Sequence, residues 1–282
     1  MILKTALIQM RSGRDMARNV AEASAMIRQA AGAGASFVTT PEMTNILEPD
    51  RPRLRSLARP ENEDESVKAF AELARQLGIW LNIGSLALKG DGEKLLNRSL
   101  LFAPDGAIAA RYDKIHLFDV DLPTGERLRE SDAYAAGNTA VIASMGDALL
   151  GMTICYDLRF PALYRELALA GAQILNIPSA FTVPTGEAHW HVLLRARAIE
   201  TGSFVLAAAQ GGAHESGRKT YGHSLAVNPW GKIIAEGGIE PGIIPCDLDL
   251  AEVAEARGRI PALNHARPFV LNRAAPVATS RP

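Results

Sequence analysis

Hydrophobic positions along this chain follow two periods in turn. Apolar runs with strand character cover residues 2–9, 36–40, 79–88, 95–102, 107–112, 149–154, 173–178, 203–210 and 242–247. Between them lie stretches of helical spacing. In 15–31, Met16, Val20, Ala23, Ile27 and Ala30 form one stripe, and Gly32 and Gly34 end it. Further helices are predicted at 66–77, from Cys155 through Leu163, Leu167 and Ala170 to Gly171, at 188–200 and at 250–257. Pro104-Asp105-Gly106 closes a hairpin between 95–102 and 107–112, and Asn228-Pro229-Trp230-Gly231 closes another within 221–234. Polar segments at 48–64, 119–138, 179–187 and 211–221 are expected to be loops. Strands alternating with helices give the α/β class. Without a repeat or a low-complexity tract, one domain over 1–272 is expected, with an irregular tail at 273–282.

Composition narrows the class. The chain has 282 residues, 48% of them hydrophobic, and a formal charge of -1. That is enough apolar material for a sizeable core, and near-neutral charge argues against a nucleic-acid surface. No apolar run approaches the roughly 20 residues of a membrane span, and the opening residues carry no basic leader with a cleavage-like site. Cys155 and Cys246 provide neither a disulfide framework nor a CxxC metal spacing. A reducing, cytoplasmic location and no membrane partner are therefore expected.

Three residues stand where strands end. Cys155 follows the run 149–154 and opens a helix, where free N–H groups would favour a thiolate and bind an oxyanion. Glu42 follows the strand 36–40 through Pro41, just past a carboxyl end, where open α/β sheets place their sites. Lys114 stands where the hairpin at 95–112 emerges into the loop 119–138. His116 shares its face by period two and is expected to pack or hydrogen-bond. The loop holds Asp119, Asp121, Glu126, Glu130 and Asp132, which match no calcium-loop spacing. His189 and His191 point about 200° apart on a helix and cannot share a metal. Arg159, Arg195, Arg197, Arg218 and Lys219 flank these segments, either as carboxylate partners or as surface charges.

The blocks Thr40-Pro41-Glu42-Met43, Tyr112-Asp113-Lys114-Ile115-His116-Leu117-Phe118-Asp119 and Ile154-Cys155-Tyr156-Asp157-Leu158-Arg159-Phe160-Pro161 resemble, in order, those of the nitrilase or carbon-nitrogen hydrolase superfamily. The resemblance runs from the first strand to about residue 270. Arg129-Glu130-Ser131, Pro178-Ser179-Ala180-Phe181, Ala188-His189-Trp190, the segment 193–201 and Tyr221-Gly222-His223-Ser224 narrow it towards the deaminated glutathione amidases, with omega-amidases as near relatives.

What the resemblance implies is a four-layer α-β-β-α sandwich and a homodimer, or a higher homo-oligomer, paired across the helix of Tyr164 and Leu167. It makes Cys155 the nucleophile, Glu42 the general base, Lys114 the electrostatic stabiliser and Glu130 a second acidic group. Tyr156, through its backbone N–H, would bind the oxyanion, and His189 and Trp190 would belong to the substrate-binding set. No cofactor or metal is called for. The reaction would turn a small carboxylated amide and water into a carboxylic acid and ammonia through a thioester, with deaminated glutathione as the expected substrate. A 2-oxoglutaramate-like monoamide, an N-carbamoyl compound or a nitrile are the alternatives. His191 departs from the glutamate common at that position in such relatives, which would remove an acidic group near the site, and the loop 211–219 has its own sequence.

Overall fold

Two six-stranded sheets organise the protein, a computed structural model describing residues 1–121 and 125–273. The first runs β16 (Gly242–Asp249), β1 (Ile2–Gln9), β2 (Phe37–Thr39), β3 (Trp80–Lys89), β4 (Leu95–Phe102), β5 (Ile108–Asp113). The second runs β15 (Ile233–Glu236), β14 (Leu225–Val227), β11 (Phe204–Ala207), β10 (Ile174–Asn176), β9 (Ala148–Met152), β8 (Val141–Met145). Each has a parallel trio at its centre, β1-β2-β3 in one and β9-β10-β11 in the other. The flanking strands pair antiparallel.

Alternation along each strand makes the layers. Leu7, Phe37 and Leu101 join Leu150, Met152 and Ile174 in one apolar core between the sheets. Within it Thr39, Asn82 and Asn176 satisfy one another by hydrogen bonds, as buried polar groups must. The residues one step along, Ala6, Ile8, Val38, Leu81 and Ile83, pack under α1 (Met16–Gly32) and α3 (Glu65–Leu77). Asp64 caps α3 by accepting from the N–H groups of Ser66 and Val67, and Gly78 ends it at φ +63°. On the far side α4 (Pro161–Leu169) and α5 (Val183–Thr201) cover β9, β11 and β14, which completes an α-β-β-α sandwich. In α6 (Ala251–Arg259), Arg257 donates to Thr201 O and Ala172 O and so ties the last helix to that layer.

Several expected loops contain elements. Within 48–64 lies α2 (Arg51–Leu57), started by an Asp50 cap and Pro52 in its first turn. Within 119–138 lie β6 (Asp119–Asp121), β7 (Arg127–Arg129) and a 3-10 turn, Glu130–Asp132. The segment 211–221 is a ribbon of β12 (Gly211–Ala213) and β13 (Lys219–Tyr221), and α5 begins five residues before its expected start. β8 was not anticipated; it pairs with β9 across the turn at Gly146, φ +64°. Of the expected tail at 273–282, all but residue 273 lies outside the described residues.

Gly84 shows how closely the layers meet at the strand ends. A Cβ there would lie 2.0 Å from Thr40 O and 2.3 Å from Pro178 Cβ, so β3 touches the loop carrying Glu42 and the strand end beyond β10. Gly84→Ala is expected to destabilise the protein by about 3 kcal/mol or more, since backbone rather than a flexible side chain must yield. Urea unfolding midpoints measure this, and an unchanged midpoint would refute the tight contact.

Candidate active site

Glu42, Lys114, Glu130 and Cys155 meet at one end of the sandwich. Glu42 stands three residues beyond β2 and is 4% exposed. Its loop is pinned from both sides: Gln210 Nε2 donates to Glu42 O at 3.0 Å, and Met43 N, in a residue with φ +58°, donates to Ser85 Oγ. Lys114 follows β5 directly and is held by backbone bonds to Asn97 O and from Gly137 N. Cys155 opens the 3-10 turn Cys155–Arg159 at φ +50°, its N–H bonded to Pro178 O at 2.9 Å. Left-handed backbone at a residue with a Cβ costs about 1–2 kcal/mol.

Asp157 locks Cys155 and Lys114 in register. Its buried carboxylate accepts from Ile154 N at 2.8 Å, from Tyr112 Oη at 2.6 Å and from His116 N at 3.0 Å, and it meets His116 Nδ1 at 2.7 Å. Tyr112 and His116 bracket Lys114 two residues to either side, so one carboxylate fixes both the cysteine turn and the lysine. His116 thus hydrogen-bonds as expected, and its ring also stacks on Phe160 at 3.5 Å.

Lys114 Nζ lies 2.8 Å from Glu42 Oε1 and 2.8 Å from Glu130 Oε2. Asn97 Nδ2 bridges the same pair, at 2.9 Å from Glu42 Oε1 and 3.1 Å from Glu130 Oε1, and Phe118 N donates to Glu130 Oε2 at 2.7 Å. Burial alone would raise the Glu42 carboxyl, but the Lys114 charge and the hydrogen bonds from Lys114, Cys155 and Asn97 hold it below the usual range. Burial likewise works against the Lys114 ammonium, and the charges of Glu130 and Glu42 drive it well above an ordinary lysine. The Cys155 thiol goes far up, first through burial and then through the Glu42 charge, with Lys114 and the Ala180 N–H opposing. The expected thiolate is therefore corrected. Burial and the neighbouring Glu42 charge favour the protonated sulfur, and Glu42 is the carboxylate next to it that could accept that proton.

Above these groups opens a cavity of about 500 Å³. Phe118, Tyr134, Tyr156 and Phe181 wall it, and Arg51, Arg127, Arg129, Arg159 and Arg218 stand around it. The first three are engaged by Asp132 or Asp121. Arg159 and Arg218 pair with no carboxylate among the described residues. Arg218 donates to Ala180 O, and Arg159 Nη2 lies 3.2 Å from His189 Nδ1. The other flanking cations point elsewhere: Arg195 and Arg197 donate to the Gly231 and Leu158 carbonyls, and Lys219 is exposed on β13.

Glu42, Lys114, Glu130, Cys155 and Tyr156 thus line one cavity. His189 and Trp190 do not. Trp190 is fully buried with its N–H on His223 O and packs on the cavity residue Phe181 at 4.9 Å, and the exposed His189 hydrogen-bonds Arg159. His191 faces away from the site, towards Glu236, so its identity removes no acidic group from the cavity. Asn97 escaped sequence reasoning. Its one signal is that period two places Asn97 and Ser99 among the buried residues of β4 with Leu95 and Leu101.

Residues 4–258 match the family model of the carbon-nitrogen hydrolases. The deaminated glutathione amidase of Yersinia enterocolitica is 40% identical over 93% of this chain and 92% of its own length. The human deaminated glutathione amidase is 37% identical over 93% of this chain and 82% of its own. Among solved structures, Nit3 of Saccharomyces cerevisiae, a member of branch 10 of the nitrilase superfamily, superposes with a TM-score of 0.84 at 30% identity, covering 92% of this chain and 94% of that one. A mutant of the amidase from Nesterenkonia sp. AN1, in which acrylamide has added to the active-site cysteine, superposes with a TM-score of 0.77 at 26% identity, covering 92% and 98%.

Proposed function

The chain belongs to the carbon-nitrogen hydrolase family and is a hydrolase of amides, and from that premise we propose that Cys155, Glu42, Lys114 and Glu130 carry out the hydrolysis through a thioester. What supports this reading is that Lys114 pairs with both Glu42 and Glu130 and that Cys155 lines the same cavity. Cys155 Sγ attacks the amide carbonyl as Glu42 takes the thiol proton, and Glu42 returns that proton to the departing nitrogen. Water then adds to the thioester, again losing a proton to Glu42, and the acid leaves as the thiol re-forms. The Lys114 ammonium and the Tyr156 N–H would meet the oxyanion, at roughly 3–4 kcal/mol per donor. Glu130 and Asn97 keep Lys114 and Glu42 in place.

For substrate we infer deaminated glutathione, on the names of the relatives and on two cavity arginines that have no acidic partner among the described residues, which suit a ligand with carboxylates. This choice amends the expected product. The scissile carbonyl of deaminated glutathione is bonded to the amine of cysteinylglycine, so the leaving group is that dipeptide, whereas 2-oxoglutaramate would release ammonia. Both substrates yield 2-oxoglutarate, and its formation gives a common assay. The expected result is kcat/KM at least about tenfold higher for deaminated glutathione, a margin of about 1.4 kcal/mol. The reverse order would make the enzyme an omega-amidase.

Among the described residues no helix is long and apolar enough to cross a membrane, and two free buried thiols suit a reducing cytoplasm. Self-association would not use Tyr164 and Leu167 themselves, which are buried inward. Leu169, Val192 and Ile199, exposed on α4 and α5, offer the face for a second copy.

A further inference from the structure

Outside the cavity, His191 of α5, His223 just before β14 and Glu236 of β15 turn their side chains together. His191 Nε2 lies 2.8 Å from Glu236 Oε1, and His223 Nδ1 lies 3.3 Å from the same oxygen. One ligand-capable atom from each residue falls within 4.8 Å of the other two, the one such group among the described residues. We propose that these three side chains form a binding site for one divalent transition-metal ion of the zinc type. His191 Nε2, His223 Nδ1 and the Glu236 carboxylate would be its protein ligands, with water in the remaining position.

The chemistry and the spacing both fit. Two imidazoles and a carboxylate are a common donor set for zinc. Metal–nitrogen and metal–oxygen bonds of about 2.0–2.2 Å in a tetrahedron put ligand atoms about 3.3–3.6 Å apart. The Glu236 oxygen lies 2.8 and 3.3 Å from the two imidazole nitrogens, and all three atoms lie within 4.8 Å of one another, so side-chain adjustment alone can bring them to that value. In the ion-free protein each neutral imidazole can donate its N–H to Glu236. On binding, the lone pair of that nitrogen goes to the metal and the proton moves through solvent to the other ring nitrogen, with no net proton change.

The site is also built in advance. His223 sits at φ +53°, a strained conformation for a residue with a Cβ. It is clamped there by Trp190 Nε1 on its carbonyl and by its own N–H on Gly238 O, both at 2.8 Å. Tyr221 stacks on its ring at 4.5 Å. His191 is carried by a helix of 19 residues and Glu236 by a paired strand, so the ligands come from separate, fixed elements. The three side chains are 26–37% exposed, which leaves access for an ion and its water. An ion there would fasten α5 to β15. The first turn of α5 carries Thr185, and the β12–β13 ribbon carries Arg218, and both line the catalytic cavity.

The test uses untagged full-length protein carrying Cys155→Ala, which removes the cavity thiol as a competing ligand. Equilibrium dialysis against zinc chloride is expected to leave one zinc per chain and to raise the thermal unfolding midpoint. Cobalt(II) in its place should show visible d–d bands of a tetrahedral nitrogen and oxygen site, without the near-ultraviolet charge transfer of a thiolate ligand. Glu236→Gln, which keeps the shape and a hydrogen-bonding end, should weaken zinc at least tenfold, and His223→Ala should abolish retention. No retained zinc, retention unaltered by both substitutions, or a thiolate band from Cys246 would each overturn the proposal.

Discussion

Cys155→Ala is expected to lower amide hydrolysis by at least about 10⁴-fold while leaving the fold intact. No second thiol can take its place, because Cys246, the other cysteine, lies on β16, buried and with its thiol pushed up to about 12. Stability should hardly change. Alanine has the same Cβ as cysteine, so the strain at φ +50° is shared, and only one buried sulfur atom is lost. The same variant tests the protonated resting state. With wild-type protein, a neutral alkylating agent should place a single adduct on Cys155, at a rate that depends on Glu42 taking the proton. Intact-mass spectrometry should find no rapid adduct in Cys155→Ala and slow labelling in Glu42→Gln. Turnover near the wild-type rate in Cys155→Ala would remove the nucleophile assignment.

That protonated sulfur also marks where sequence reasoning stops. The fold was legible wherever a strand had a long apolar run: β1 and β4 have the expected boundaries to the residue. It was illegible in short elements without an apolar run, even where the partner strand is the next one in the chain. β8 has a broken burial pattern, and the β6–β7 and β12–β13 ribbons use strands of three residues. The early start of α5 was hidden because Val183-Pro184-Thr185-Gly186 has turn-like composition and no side-chain cap; Gly186 is small because a Cβ there would strike the Tyr221 ring.

The same division holds in the site. Strand-end placement pointed to Glu42, Lys114 and Cys155, and resemblance to Glu130. Apart from the local bond of Asp157 to Ile154 N, the groups that hold them, Asn97 and Asp157, act through contacts 33 to 55 residues away in sequence, which no local pattern encodes. Charge balance was likewise invisible. The helix-start argument favours a thiolate, but an adjacent buried carboxylate reverses it, and only the fold puts that carboxylate there.

Lys114→Met follows from the same balance and should combine a stability loss with a change in pH dependence. In the wild type Lys114 keeps Glu42 below its usual range. The Glu42 contribution to stability is then present above the unfolded carboxyl pKa and is lost as pH falls through the lower folded value. Lys114, raised in the fold, contributes below the unfolded lysine pKa and loses its contribution as pH rises through the folded value. Methionine fills similar space without charge and leaves Glu42 buried beside Glu130, so burial and like charge now raise the Glu42 carboxyl. Removing one partner of a buried pair costs about 3–5 kcal/mol. That deficit should be largest around neutral pH, below the unfolded lysine pKa, and should shrink as acid protonates Glu42. Loss of the oxyanion donor should lower kcat by about 10²–10³-fold, and the acid limb of the residual activity should move to higher pH. Urea midpoints and kcat measured across the acid range report both effects. A deficit that stays constant with pH, or an unmoved acid limb, would show that Lys114 does not set the ionisation of Glu42.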